Sequence, residues 1–119
     1  MIKFIIDRIK SIGYASKGAY ILLTTEASIK IQFFIGIVVT IAGFYFEISQ
    51  TEWILQILTI AAIMSIEAVN TAIEEIADFI HPEHHKKIGL IKDISAGAVF
   101  IIAVGAIIIG GIIYLPKIF

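Results

Sequence analysis

Apolar positions in the first twenty residues recur at helical spacing: Ile2, Ile5, Ile6, Ile9 and Ile12, followed by Gly13. Lys3, Asp7, Lys10 and Lys17 fall between them. That period predicts an amphipathic helix over 1–20, suited to lie in a membrane interface with its lysines toward water. The pattern then changes from alternating faces to continuous apolar runs. Residues 29–46 cover ~27 Å as a helix, with Lys30 and Gln32 confined to the start, where a long polar side chain can snorkel. Residues 53–80 would span ~42 Å, more than the ~30 Å hydrocarbon core requires, so one end must protrude. Residues 94–114 carry no charge, and Pro116 is expected to stop that helix. The reading is one all-α integral membrane domain over 1–119: a surface helix and three membrane-spanning helices.

Composition strengthens this picture. The chain is 59% hydrophobic with a mean hydropathy of +0.98, an excess that a soluble core of this size would not hide. A net charge of −1 gives no electrostatic support for a nucleic-acid partner. With no cysteine, disulfides and thiolate metal sites are excluded. Lys3, Arg8, Lys10, Lys17 and Lys30 precede or open the first span, and Lys86, Lys87 and Lys92 fill the loop before the last. The loop from Glu47 to Glu52 has no lysine or arginine. The positive-inside rule therefore places the N-terminus in the cytosol and the C-terminus outside. Tyr14, Tyr20, Trp53 and Tyr114 fall near the expected interfaces as anchors, and Gly36, Gly43, Gly105, Gly110 and Gly111 suit close helix packing.

The second span carries Glu67, Asn70, Glu74 and Asp78, which fall within an ~80° sector of one helix. Glu75 lies off this stripe. Counted from Trp53, Glu67 lies ~21 Å along the axis, Glu74 ~32 Å and Asp78 ~38 Å, so the stripe crosses the cytosolic boundary. Glu26 and Ser28 at the start of the first span, and Lys92 and Asp93 before the third, come to the same level. Carboxylates near water can hold Mg²⁺ together with substrate phosphates, a lysine can neutralise phosphate oxygens, and a deeper glutamate can accept a proton. Those are the parts phosphoryl transfer needs. The same residues suit a hydrogen-bond network that only joins helices, or the proton relay of a small transporter. Spacing alone leaves these open. His81, His84 and His85 lack the HExxH spacing, and solvated loop histidines are the expectation there.

The run Glu67-Ala68-Val69-Asn70-Thr71-Ala72-Ile73-Glu74, followed by Asp78 and then by Lys92-Asp93, resembles the signature of the prokaryotic diacylglycerol kinase/undecaprenol kinase family. Pro82-Glu83-His84-His85, Gly13-Tyr14, Lys17-Gly18 and Glu26-Ala27 extend the resemblance over nearly the whole chain. It implies an ATP-dependent membrane lipid kinase working as a homotrimer with sites shared between subunits. By position, Glu67 would be the general base at the lipid hydroxyl, and Glu26 and Glu74 the Mg²⁺ ligands. Asn70, Asp78, Lys92 and Asp93 would hold ATP, with Tyr14, Lys17 and His85 as further nucleotide-side residues. Ser28 and Gly89 depart from the family pattern, where asparagine and a basic residue are common. The Asn-Thr form of the signature, Ala96-Gly97-Ala98-Val99, the Glu52-Trp53 pair and the Tyr-Leu-Pro ending are closer to the undecaprenol kinase branch. Undecaprenol is the substrate this resemblance implies, with diacylglycerol as the alternative.

Overall fold

A computed structural model describes residues 1–119. Four helices follow in order: α1 (Ile2–Thr25), α2 (Ala27–Tyr45), α3 (Gln50–Ile80) and α4 (Lys86–Ile118). The last three are long and apolar enough to cross a membrane. Helices α3 and α4 start ahead of the expected apolar runs, at Gln50 and Lys86, with side-chain caps, and backbone bonds close the other ends.

The joints show how. A single residue, Glu26, separates α1 from α2; its extended backbone (φ −95°, ψ 116°) turns the chain, while its N–H still reaches Leu22 O and its carbonyl accepts from Lys30. At the other end of α2, Glu47 takes φ 50°, its N–H bonds to Phe44 O at 3.3 Å, and Ile48 N–H bonds to Gly43 O at 3.1 Å. This is the Schellman closure, built with glutamate where glycine is usual. Helix α3 opens with a capping box: Ser49 Oγ accepts from Glu52 N–H (3.1 Å), and Glu52 Oε1 accepts from Ser49 N–H (2.9 Å). His85 caps α4, its Nδ1 accepting from Lys87 N–H at 3.1 Å. Pro116 does not stop α4, which continues to Ile118. With the end only three residues away, Phe119 N–H to Leu115 O (3.0 Å) closes the last turn past the ring.

Helix α3 packs against both α2 and α4 and forms the middle of the bundle. Gly36 and Gly43, two turns apart on α2, permit the approach to α3. A Cβ at Gly36 would sit 3.3 Å from Ile60 Cγ2, and one at Gly43 would sit 2.6 Å from the Trp53 ring. Gly105 and Gly110 meet nothing within 4 Å, and Gly111 meets only Leu115 of its own helix, so close packing within the chain does not account for these three. At the Trp53 end, Tyr114 donates to Gln56 Oε1 (2.5 Å), Gln56 Nε2 donates to Val39 O (3.2 Å), and Lys117 pairs with Glu52 (3.2 Å). These bonds join all three spans.

Only ten of the 119 residues are buried, and large side chains such as Phe79, Phe100, Ile101 and Ile107 face outward. An apolar exterior of this kind is stable against lipid or other chains, not against water. Helix α1 buries nothing; only Leu22 and Leu23 in its last turns are half-covered. The molecule measures 50 × 48 × 23 Å, and α1 is ~36 Å long.

Candidate active site

One face of α3 organises the chemistry. At 100° per residue, Gln56, Ile60, Ile63, Glu67, Asn70, Glu74 and Asp78 all fall within about 80° of one another. The face begins polar at the Trp53 end, is apolar through the middle, and becomes acidic toward the α3–α4 loop. Helix α4 lies along it, bonded at both ends.

At the acidic end, Ser95 Oγ donates to Asn70 Oδ1 at 2.6 Å, and Asn70 Nδ2 donates to Glu74 Oε1 at 3.3 Å. Ser95 and Asn70 are buried, whereas Glu74 is exposed. The serine orients the amide, and the amide bonds one oxygen of Glu74 while the other has no partner in the chain. One turn further, Lys92 Nζ lies 2.5 Å from Asp78 Oδ1. Both partners are substantially exposed (38% and 57%), so the pair contributes little to stability. Its consequence is geometric: the ammonium is held beside the acidic stripe.

Glu67 sits one turn below Asn70 and is 8% exposed. Its carbonyl accepts from Thr71 Oγ1 (3.1 Å), but its carboxylate has no hydrogen-bond or ion-pair partner within the chain.

The other expected site residues are dispersed. His85 and Asp93 line an open hollow at the start of α4 with His84, Lys86, Lys87, Gly89 and Leu90. Glu26 sits at the α1–α2 break, and no cluster of three carboxylates or histidines close enough to ring an ion forms within one chain. Tyr14 and Lys17 are exposed on α1 and make no side-chain bond to the stripe. Glu75 and Ser28 are exposed as well.

Ser95 was not singled out by motif spacing. Its signal is indirect: it lies one turn after Lys92 on the face that meets α3, and a buried asparagine needs partners for both amide atoms. Gln56 and Tyr114 were likewise missed as a bonded pair.

An all-helical membrane protein with a buried carboxylate, a braced acidic stripe and a lysine beside it has the parts of a membrane phosphotransferase. Residues 13–114 match the prokaryotic diacylglycerol kinase family, and the chain belongs to that family. It is similar to the undecaprenol kinase of Bacillus subtilis (strain 168), at 39% identity over 108 residues, 91% of this chain and 88% of that one. It also resembles the diacylglycerol kinase of Synechocystis sp., at 31% identity over 89% of this chain and 61% of that one. The diacylglycerol kinase of Haemophilus influenzae is 28% identical over 89% of this chain and 91% of its own length. The protein is a bacterial membrane lipid kinase.

Proposed function

We propose that the chain transfers the γ-phosphate of ATP to the hydroxyl of undecaprenol, giving undecaprenyl phosphate and ADP. The similarity to an undecaprenol kinase over nine-tenths of the chain supports the choice of lipid. The observation that carries the mechanism is Glu67, a residue only 8% exposed whose carboxylate has no partner in the chain, one turn from the Ser95–Asn70–Glu74 chain. Glu67 takes the proton of the lipid hydroxyl as that oxygen bonds to the γ-phosphorus. The bond from the γ-phosphorus to the β–γ bridging oxygen breaks, and ADP leaves with the electron pair. Lys92, steered by Asp78, neutralises charge on the phosphate oxygens. Asn70, Asp78 and Asp93 hold the nucleotide, with Tyr14, Lys17 and His85 at its margin.

Mg²⁺ fits the donor set. Glu74 offers a carboxylate fixed at one oxygen and open at the other, and Mg²⁺ usually takes one or two carboxylates with substrate phosphates and water. Glu74 and Glu26 would hold it, and its chemistry there would be to neutralise phosphate charge. Because Glu26 does not meet Glu74 in one chain, the complete site draws on a neighbouring subunit of a homotrimer. Helix α1, with Ile2, Ile5 and Ile9 set against Lys3, Lys10 and Lys17, lies in the cytosolic interface beside the site. The N-terminus is cytosolic and the C-terminus outside.

Transfer from labelled ATP by the purified protein in mixed micelles tests this, with undecaprenol and diacylglycerol supplied separately. Undecaprenol should be phosphorylated faster, and Glu67→Gln should lower kcat by about 10²–10⁴-fold with the oligomer intact. Faster transfer to diacylglycerol overturns the lipid assignment. Full activity in Glu67→Gln overturns the base.

A further inference from the structure

Helix α1 is the element that the rest of the chain leaves uncovered. Every residue from Met1 to Ile21 is exposed, and Leu22 and Leu23 are the only half-covered residues of the helix. Its cations are unmatched as well: the ion pairs of the chain are Lys92–Asp78 and Lys117–Glu52, so Lys3, Arg8, Lys10 and Lys17 have no acidic partner. A helix with neither its apolar nor its charged side chains matched from within is completed from outside.

The placement of those side chains says by what. At 100° per residue, Ile2, Ile5, Ile6, Ile9 and Ile12 occupy a sector of about 120°. Lys3, Lys10 and Lys17 follow one border of that sector, all within about 60° of its edge. Arg8 stands about 40° beyond the other edge, its guanidinium 5.4 Å from the centre of the Phe4 ring. Asp7, the one acid of the helix, lies about 160° from the middle of the sector, on the opposite crest. Cations therefore flank the apolar face on both sides, and the anion is turned away from it. A leaflet with anionic headgroups has the matching cross-section: hydrocarbon below, phosphates at the level of the helix flanks, water above. The chain also delivers α1 to that level, because a single residue, Glu26, joins it to the apolar span α2.

We infer that α1 is a docking surface for the anionic lipids of the leaflet it lies in. The isoleucine sector enters the hydrocarbon, and Lys3, Lys10 and Arg8 gather anionic headgroups along its two sides, with Lys17 continuing one row. Neutral lipid receives the isoleucines equally well. The border cations add a preference for net negative charge, because a zwitterionic headgroup presents its own ammonium to them. The inference rests on the interfacial placement of α1 in the proposed function and not on the transfer reaction.

Brominated lipids, which quench a nearby fluorophore, read which headgroups surround the helix. The chain has no cysteine, so Ile9→Cys carries a single fluorophore in the middle of the sector; α1 buries nothing, so the bundle tolerates the change. The full chain is placed in vesicles of phosphatidylcholine and phosphatidylglycerol in equal amounts, with bromine in the acyl chains of one or the other. Quenching should report about fivefold enrichment of phosphatidylglycerol, the preference that one cation near an anionic surface confers. The enrichment should fall below about twofold at about 1 M salt, where the Debye length is ~3 Å. The combined substitution Lys3→Gln, Arg8→Gln and Lys10→Gln should lower it as far, with the total quenching by both lipids unchanged. Asp7→Asn alters net charge as much as one lysine substitution does, but on the crest, and should leave the enrichment within about 1.5-fold. Equal quenching by the two lipids, or enrichment that survives the combined substitution, overturns the anionic docking and leaves the interfacial seat of α1 standing. Quenching by neither lipid means that protein covers the sector, and overturns both. The readout needs no turnover: enrichment in a protein that phosphorylates no lipid overturns the kinase reading alone, and a working kinase without enrichment overturns the docking alone.

Discussion

Ser95 acts on the site without offering a charge of its own. Its hydroxyl fixes the Asn70 amide, which in turn fixes one oxygen of Glu74. Ser95→Ala leaves a buried amide oxygen unpaired and lets the amide rotate, a loss of about 1–3 kcal/mol in that arrangement. In the transfer assay, kcat should fall about tenfold while KM for the lipid stays near wild type, and Ser95→Thr should recover most of the loss. An unchanged kcat in Ser95→Ala would show that Glu74 is placed by something else. Chemical identity at this scale was legible where a motif carried it, as with Glu67, Asn70, Glu74 and Lys92. Ser95 was not, because its meaning lies in what it meets across helices, and periodicity describes only one helix at a time.

Between α2 and α3, tight packing depends on two neighbouring positions of opposite fitness. Gly43 has no room for a side chain against Trp53, which also stacks at 4.9 Å on Phe44. Gly43→Ala should destabilise the folded protein by about 1–3 kcal/mol, since overpacking forces the ring or the backbone to shift. Trp53 is the sole tryptophan, so its fluorescence reports the displacement directly. Glu47, by contrast, holds φ 50° at a position that glycine adopts without strain. Glu47→Gly should stabilise by about 0.5–1 kcal/mol, read as a higher melting temperature in micelles. A fall in melting temperature would show that the Glu47 side chain contributes more than its backbone costs. The three spans were readable from uninterrupted apolar runs. Their ends were not, because they depend on caps: Ser49 and Glu52 form a box that the spacing S-x-x-E announces, whereas a histidine cap at His85 and a helix passing Pro116 have no such signature.

At the scale of the molecule, one candidate site residue stands apart from the others. Its acidic stripe and lysine are assembled by α3 and α4, while Glu26 stands at the α1–α2 joint with no bond to them. Helix lengths in the sequence assign all of these to one level, yet a shared level does not say whether two residues share a site or sit on different sides of a bundle. If Glu26 serves the site of the adjacent subunit, two dead variants should repair each other. Glu26→Ala lacks a metal ligand but keeps Glu67, and Glu67→Gln keeps Glu26. In oligomers mixed at equal amounts, random pairing gives about a quarter of sites an intact Glu26 from one chain and an intact Glu67 from the next. Activity should therefore return to about a quarter of wild type, although each variant alone is inactive. If both residues must come from the same chain, mixing gains nothing, since no chain carries both. That second outcome would return the site to a single protomer and require α1 to fold back so that Glu26 reaches Glu74. The one-residue joint at Glu26 is the place where such a movement would have to occur, so the same experiment decides whether that joint is a fixed corner or a hinge.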